Sequence, residues 1–182
     1  STFTKNQIAR FDAMSLELIS SLNYQPIRHI LNTSGIFNYP EYQMEMVRLG
    51  IGLYGIGNSE QELQILENVS TLKSVISQIR TVLPEESIGY SRKFMVIKEM
   101  QIATIPIGYA DGIRRAWGNE KGFVMINNQK ATILGNICMD MLMVDVTQIN
   151  CKSGDEVIIF GNSPKVTEIT ETIGTIPYEV LT

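Results

Sequence analysis

The stretch Met100-Gln-Ile-Ala-Thr-Ile-Pro-Ile-Gly-Tyr-Ala-Asp-Gly112 decides the fold of this chain. Residues 102–107 form a short apolar run rich in β-branched side chains, which reads as a buried strand. The run breaks at Gly108, so Tyr109 stands at a strand end where its hydroxyl can face a pocket. A phenol ordinarily titrates near ~10, and it serves as an acid–base only where its surroundings favour the phenolate. A turn carrying a packing tyrosine is the other reading these residues allow.

Strand-like segments recur on both sides of this stretch. Residues 72–82, 123–126, 130–134, 141–146 and 156–160 are short and apolar, and turn residues separate them. Asn127-Asn128 suits a tight hairpin because asparagine tolerates positive φ. Gly154-Asp155 and Gly161-Asn162 mark further turns. Strands at this spacing point to a β-barrel or a sandwich. A short helix near residues 167–173 should end at Gly174, a suitable C-terminal cap.

The first third reads differently. Thr4-Lys-Asn-Gln7 has the pattern of a capping box, and Ile8, Phe11, Met14, Leu18, Ile19 and Leu22 recur at helical spacing. A helix of about five turns is expected, then a strand over 27–31 and a polar turn at Asn32-Thr33-Ser34-Gly35. Pro40 should start a short helix, and the glycine-punctuated run 47–54 reads as another strand. This order suits a piece of a parallel α/β domain. The polar stretch Asn58-Ser-Glu-Gln-Glu62 marks the expected boundary. The expected class is therefore mainly β, with α/β elements over residues 1–58 and a β-rich domain over 59–182.

Composition narrows the function classes. The 182 residues, 44% hydrophobic, suit a soluble globular protein, and no apolar run approaches the roughly 18 residues of a membrane span. The net charge of −4 argues against a nucleic-acid partner. No signal-peptide pattern opens the chain. Cys138 and Cys151 lack CxxC spacing and neighbouring histidines, so they read as reduced thiols in a cytoplasmic protein with no metal site.

Read in order, the chain offers His29 with Asn32-Thr33, then Met46-Val-Arg-Leu-Gly-Ile-Gly-Leu-Tyr-Gly55, the Tyr109 motif, Gly135-Asn-Ile-Cys-Met-Asp140 and Pro177-Tyr-Glu179. This series resembles the C-terminal part of the alanine racemases, pyridoxal-phosphate enzymes of fold type III, along the whole chain from Phe3. The resemblance implies a C-terminal β-barrel-like domain preceded by the last α/β elements of an incomplete (β/α)8 barrel. It also implies a homodimer whose active sites are shared across subunits, with L- and D-alanine as substrates and D-alanine for peptidoglycan as product. Two bases on opposite faces of the substrate would exchange its α-proton, one a cofactor-holding lysine and the other matched by Tyr109.

The same resemblance implies cofactor contacts at His29, Asn32, Thr33, Arg48, Gly50, Ile51 and Tyr178, and a substrate-carboxylate contact at the backbone of Met139. Thr33 stands where a serine is common, and its hydroxyl can make the same bond. Arg48 matches the arginine beside the pyridine nitrogen; a guanidinium stays protonated and cannot readily give that nitrogen a proton. On residue type alone, Arg48 reads equally as a surface arginine, His29 as a core histidine and Met139 as core filler. Tyr90 in Ile88-Gly-Tyr-Ser-Arg92 matches a loop of the β domain and reads as a packing or loop residue, and Asp111 and Asp140 read as loop-fixing acceptors.

None of the lysines sits in a motif matching the one that holds the cofactor. A closed barrel needs eight strands, and residues 1–55 supply about two. The chain is therefore expected to be a C-terminal fragment, inactive alone and exposing apolar surface over residues 1–55. Rival readings are a racemase or decarboxylase of the same fold type acting on another amino acid, and a non-catalytic β-barrel module for dimerisation or binding.

Overall fold

A computed structural model describes residues Ser1–Thr182, which part into two compact units, Ser1–Val69 and Ser70–Thr182. The first unit opens with α1 (Thr2–Ser20), capped by the Ser1 hydroxyl, which accepts from the Thr4 amide at 3.2 Å. The cap thus lies upstream of the expected Thr4–Gln7 box. Helix α2 (Thr33–Asn38) follows, capped by Asn32, whose Oδ1 accepts from the Gly35 amide at 3.0 Å. Helix α3 (Glu60–Ile65) closes the unit. Its buried Glu62 accepts from the Asn58 amide (2.7 Å), Asn38 Nδ2 (3.0 Å) and the Ser34 hydroxyl (3.3 Å), so residues beyond 58 are tied to the first unit. Arg28 bridges Asp12 of α1 (2.8 Å) and Glu45 (3.0 Å).

The two strands expected in this unit are not formed. Residues 27–31 and 47–50 have no regular structure, and one backbone bond, from the Arg48 amide to the Leu31 carbonyl at 2.9 Å, joins them. A lone parallel pair with no further neighbours is too weak to hold a ladder. Ile51–Tyr54 instead winds into a 3-10 turn that ends at Gly55, whose φ of 77° needs a glycine.

The second unit carries β1 (Leu72–Val75), β2 (Gln78–Val82), β3 (Ser87–Ile88), β4 (Phe94–Met95), β5 (Met100–Ile105), β6 (Phe123–Ile126), β7 (Gln129–Leu134), β8 (Leu142–Asp145) and β9 (Glu156–Phe160). Helices α4 (Val166–Ile173) and α5 (Pro177–Leu181) follow. Seven strands make one antiparallel sheet in the order β1-β9-β6-β7-β8-β5-β2, and β3 pairs with β4 alone.

The two edge strands of that sheet are consecutive in sequence. Only Ile76 and Ser77 separate them, and their amides bond Asp155 and Thr104 at opposite ends of the sheet, both at 2.9 Å. A two-residue step between the first and last strands requires the sheet to curl until its edges meet. The expected single strand over 72–82 is thus two strands that close a barrel-like curl. Asn127 and Asn128, with φ of 48° and 61°, make the tight β6–β7 hairpin. Gly174, at φ 69°, caps α4 as expected.

On one face of the sheet, Ile105, Ile126, Ile133, Leu142 and Val144 are fully buried. Burying each such side chain contributes about 1.5–3 kcal/mol. Val82, Ile88, Val96, Met100, Ile102, Leu134, Cys138 and Met143 form a cluster with Phe94 against it, which seats the β3–β4 hairpin on the sheet.

Candidate functional site

In the first unit, six of the residues singled out by sequence gather around two loops. Thr33 is buried, and its Oγ1 accepts from the amides of Gly50 (3.1 Å) and Gly52 (3.2 Å). A Cβ on Gly52 would come within 2.7 Å of Thr33 Cγ2, so only glycine lets the two loops touch. The Ile51 amide opens the 3-10 turn and has no carbonyl within that turn to donate to. Arg48 Nη2 donates to the Ile30 carbonyl at 3.1 Å, and Asn32 and Arg48 line one cavity of about 480 Å³ with Ile30, Leu31 and Gly35. His29 makes no bond to Arg48; its Nδ1 is buried without a hydrogen-bond partner.

The Thr33 hydroxyl, whose proton is left free by the two amides it accepts from, the Ile51 amide and a guanidinium form a donor set suited to an anionic, ring-bearing ligand. The chemistry of this set fits pyridoxal phosphate. No group of three or more His, Cys, Asp or Glu side chains is placed to hold a metal ion.

In the second unit, the turn Tyr109–Asp111 docks on the loop before β8. The Tyr109 amide donates to Cys138 O and the Ala110 amide to Met139 O, each at 3.0 Å. A Cβ on Gly108 would stand 2.3 Å from both carbonyls, so the close approach needs glycine. Asp111 fixes the turn by accepting from the Gly108 amide at 2.9 Å. Tyr109 is 47% exposed and Met139 is 54% exposed. The Met139 amide donates to no acceptor in the chain, which leaves a backbone N–H available to a ligand.

A groove of about 330 Å³ runs beside Met139, lined by Gly89, Tyr90, Cys138, Asp140, Met141 and Met143. Tyr90, 70% exposed, is the phenol in this lining. Around it Gly89, Ser91 and Arg92 hold φ of 74°, 63° and 49°. The left-handed region costs an ordinary L-residue about 1–2 kcal/mol, and such backbone concentrates at functional sites. Sequence alone read Tyr90 as a loop residue, because neither serine nor arginine signals positive φ. Burial pushes the Cys138 thiol up, as it does Cys151, and both cysteines are free. A protonated thiol makes a poor nucleophile.

Tyr178 lies exposed at the second position of α5. Beside it, Glu179 pairs with Arg114 at 2.9 Å, and its carboxyl is held below the usual range by the Thr175 hydroxyl and then by Arg114.

These two sets of residues lie in segments with known relatives. A family model for the C-terminal domain of alanine racemase matches residues 69–182, and one for the N-terminal domain matches residues 1–58. The chain belongs to the alanine racemase family. It is 38% identical to the alanine racemase of Helicobacter pylori (strain P12), with 99% of this chain and 51% of that protein aligned. Among solved structures, it is similar to the alanine racemase of Clostridium difficile 630 in complex with cycloserine, with a TM-score of 0.89 and 37% identity over 99% of this chain and 49% of that one. It is also similar to the alanine racemase of Bartonella henselae with covalently bound pyridoxal phosphate, with a TM-score of 0.81 and 31% identity over 100% and 49% of the two chains. The chain thus spans about half the length of the racemases it matches. No helix is long and apolar enough to cross a membrane.

Proposed function

We propose that residues 1–182 supply the C-terminal half of a pyridoxal-phosphate-dependent racemase that interconverts L- and D-alanine in the cytoplasm, providing D-alanine for peptidoglycan. Residues 1–58 are read as the end of its barrel domain and 59–182 as its β domain. The observation that carries the reading is the Tyr109 turn, bonded to the backbone of Cys138 and Met139 beside the unbonded Met139 amide. Racemisation needs a proton-transfer group on each face of the α-carbon and a donor to fix the carboxylate.

When bound, pyridoxal phosphate supplies the electron sink that makes the α-proton of alanine labile. The Thr33 hydroxyl, with the Gly50 amide bonded to it, and the Ile51 amide would hold its phosphate, and the Tyr178 hydroxyl is the further donor that the resemblance implies. Arg48, Asn32 and His29 would serve its ring. Arg48, which keeps its own proton, would leave the ring nitrogen unprotonated, and that would limit side reactions. The Met139 amide holds the substrate carboxylate and a phenol moves one of the two protons.

Two phenols compete for that last role. Tyr109 is the one singled out by its motif, and its turn is bonded to Met139 through Ala110. Tyr90 lines the groove on backbone held in a costly conformation and serves there as a loop residue, while Tyr109, matched to the family's second base, takes the role. The other proton-transfer group is a lysine outside this chain, and the working unit is a homodimer in which each β domain serves its partner's cofactor.

The test compares Tyr90→Phe with Tyr109→Phe in holoenzyme carrying residues 1–182. Loss of a positioned acid–base lowers the rate about 10²–10⁴-fold, expected for Tyr109→Phe. The loss appearing at Tyr90→Phe alone would move the role to Tyr90. Purified residues 1–182 by themselves should show no racemisation; measurable turnover would sink the half-enzyme reading.

A further inference from the structure

We infer that the backbone of Gly108 and Tyr109 positions the carboxylate donor: the Tyr109 amide, through the Cys138 carbonyl, orients the peptide group that carries the Met139 N–H. The inference rests on the proposed role of the Met139 amide and adds the group that aims it.

The carbonyl of Cys138 and the amide of Met139 belong to one trans peptide group. Its planarity points the carbonyl and the N–H in opposite directions, so whatever fixes one fixes the other. The Tyr109 amide donates to this carbonyl at 3.0 Å. On either side, the Cys138 amide donates to Met141 O at 2.9 Å and the Ala110 amide to Met139 O at 3.0 Å. Three of the four backbone polar groups of Cys138 and Met139 are thus bonded within the chain, and the fourth, the Met139 N–H, is left for a ligand. A carbonyl that accepts a hydrogen bond also makes the N–H of its own peptide a better donor, by about 10–30% per bond.

Glycine at 108 makes the contact possible. Its φ of −147° is open to any residue, so the need is for room. A Cβ there would stand 2.3 Å from both Cys138 O and Met139 O and 2.6 Å from the Met139 carbonyl carbon. The turn is also closed on itself. Asp111 accepts from the Gly108 amide at 2.9 Å, and Gly108 O accepts from the amides of Asp111 and Ile113, each at 3.1 Å. The residue that carries the phenol therefore presses its own amide against the peptide that carries the carboxylate donor, and a single hydrogen bond joins the two.

The experiment replaces single backbone amides by esters in holoenzyme carrying residues 1–182. It reads KM for alanine and the inhibition constant of propionate, which has alanine's carboxylate and lacks its amine. An α-hydroxy acid in place of Tyr109 keeps the phenol and deletes the N–H. It should raise both constants roughly fivefold, the size of one lost neutral hydrogen bond. The same change at Ala110 removes the bond to Met139 O, which belongs to the next peptide, and should lower the melting temperature as much while leaving both constants nearly unchanged. Each ester also weakens the carbonyl before it, and Gly108 O and Tyr109 O both hold turn bonds, so the pair is matched. At Met139 the change deletes the carboxylate donor itself and should raise both constants at least as far. Adding the Tyr109 ester to it should have almost no further effect, because both act on one contact. Asp111→Ala, which unfastens the turn from the Gly108 amide, serves if the Tyr109 ester is unstable, and should shift the propionate constant the same way. Unchanged constants in the Tyr109 ester, or an equal rise in the Ala110 ester, would overturn the positioning role while leaving the Met139 amide as the donor. Unchanged constants in the Met139 ester would instead overturn the reading of Met139, and the positioning role would fall with it.

Discussion

In the second unit, Ile105, Ile126, Ile133, Leu142 and Val144 are removed from solvent by the sheet that carries them. The 19-residue α1 of the first unit buries only Ile8, and leaves Phe3, Met14, Leu16 and Leu18 exposed. An antiparallel sheet that curls until its edges meet makes its own core from neighbouring strands. A helix has one apolar stripe and needs a second layer to cover it. The comparison teaches that motif residues on the second unit sit on a self-sufficient scaffold, whereas Thr33, Gly50 and Ile51 depend on polar bonds between loops.

The largest expected effect tests the scaffold. Ile133→Ala should destabilise the second unit by about 2–5 kcal/mol, whereas Met14→Ala on the exposed stripe should change stability by roughly 0.5 kcal/mol or less. Denaturant melts of the two variants make the comparison, and equal losses would break it. Next comes the buried carboxylate of Glu62. Glu62→Ala strands the Asn58 amide and Asn38 Nδ2 without their acceptor, at an expected cost of about 1–3 kcal/mol confined to the first unit. Hydrogen exchange resolves the location: amides of residues 1–69 should exchange faster, and those of the sheet should not change.

The smallest effect is a pH dependence. Arg28 holds the Glu45 carboxyl below its usual range, first through the side-chain hydrogen bond. A carboxyl depressed in the fold stabilises it above the ordinary carboxylate pKa, and that contribution is lost as pH falls through the depressed value. Acid should therefore loosen the tie between α1 and residue 45, and Arg28→Ala should flatten this part of the profile. An unchanged profile in the variant would remove the ion pair from the account.

Much of the second unit was legible in the sequence, since its strands alternate with turn residues such as Asn127-Asn128 that state their own geometry. The break at Ile76–Ser77 was not legible, because the step between sheet edges is set by distant partners, Asp155 and Thr104. The run 47–54 has a strand's composition, yet its amides at Gly50 and Gly52 are satisfied by the Thr33 hydroxyl, so a 3-10 turn wins over a ladder. The site was partly legible. Motif spacing picked out the Tyr109 turn and Met139, which the structure bonds through Ala110, and placed Tyr90 in a loop without its backbone conformation. That conformation, positive φ at Ser91 and Arg92, is announced by no residue type.

The central claim, that the Tyr109 phenol moves one of the two protons, is tested most directly by deuterium uptake. The holoenzyme carrying Tyr109→Phe would be incubated in heavy water with each enantiomer of alanine separately. A phenol acting on one face predicts that α-deuterium uptake collapses from one enantiomer and persists from the other. Equal, undiminished uptake from both would contradict the account.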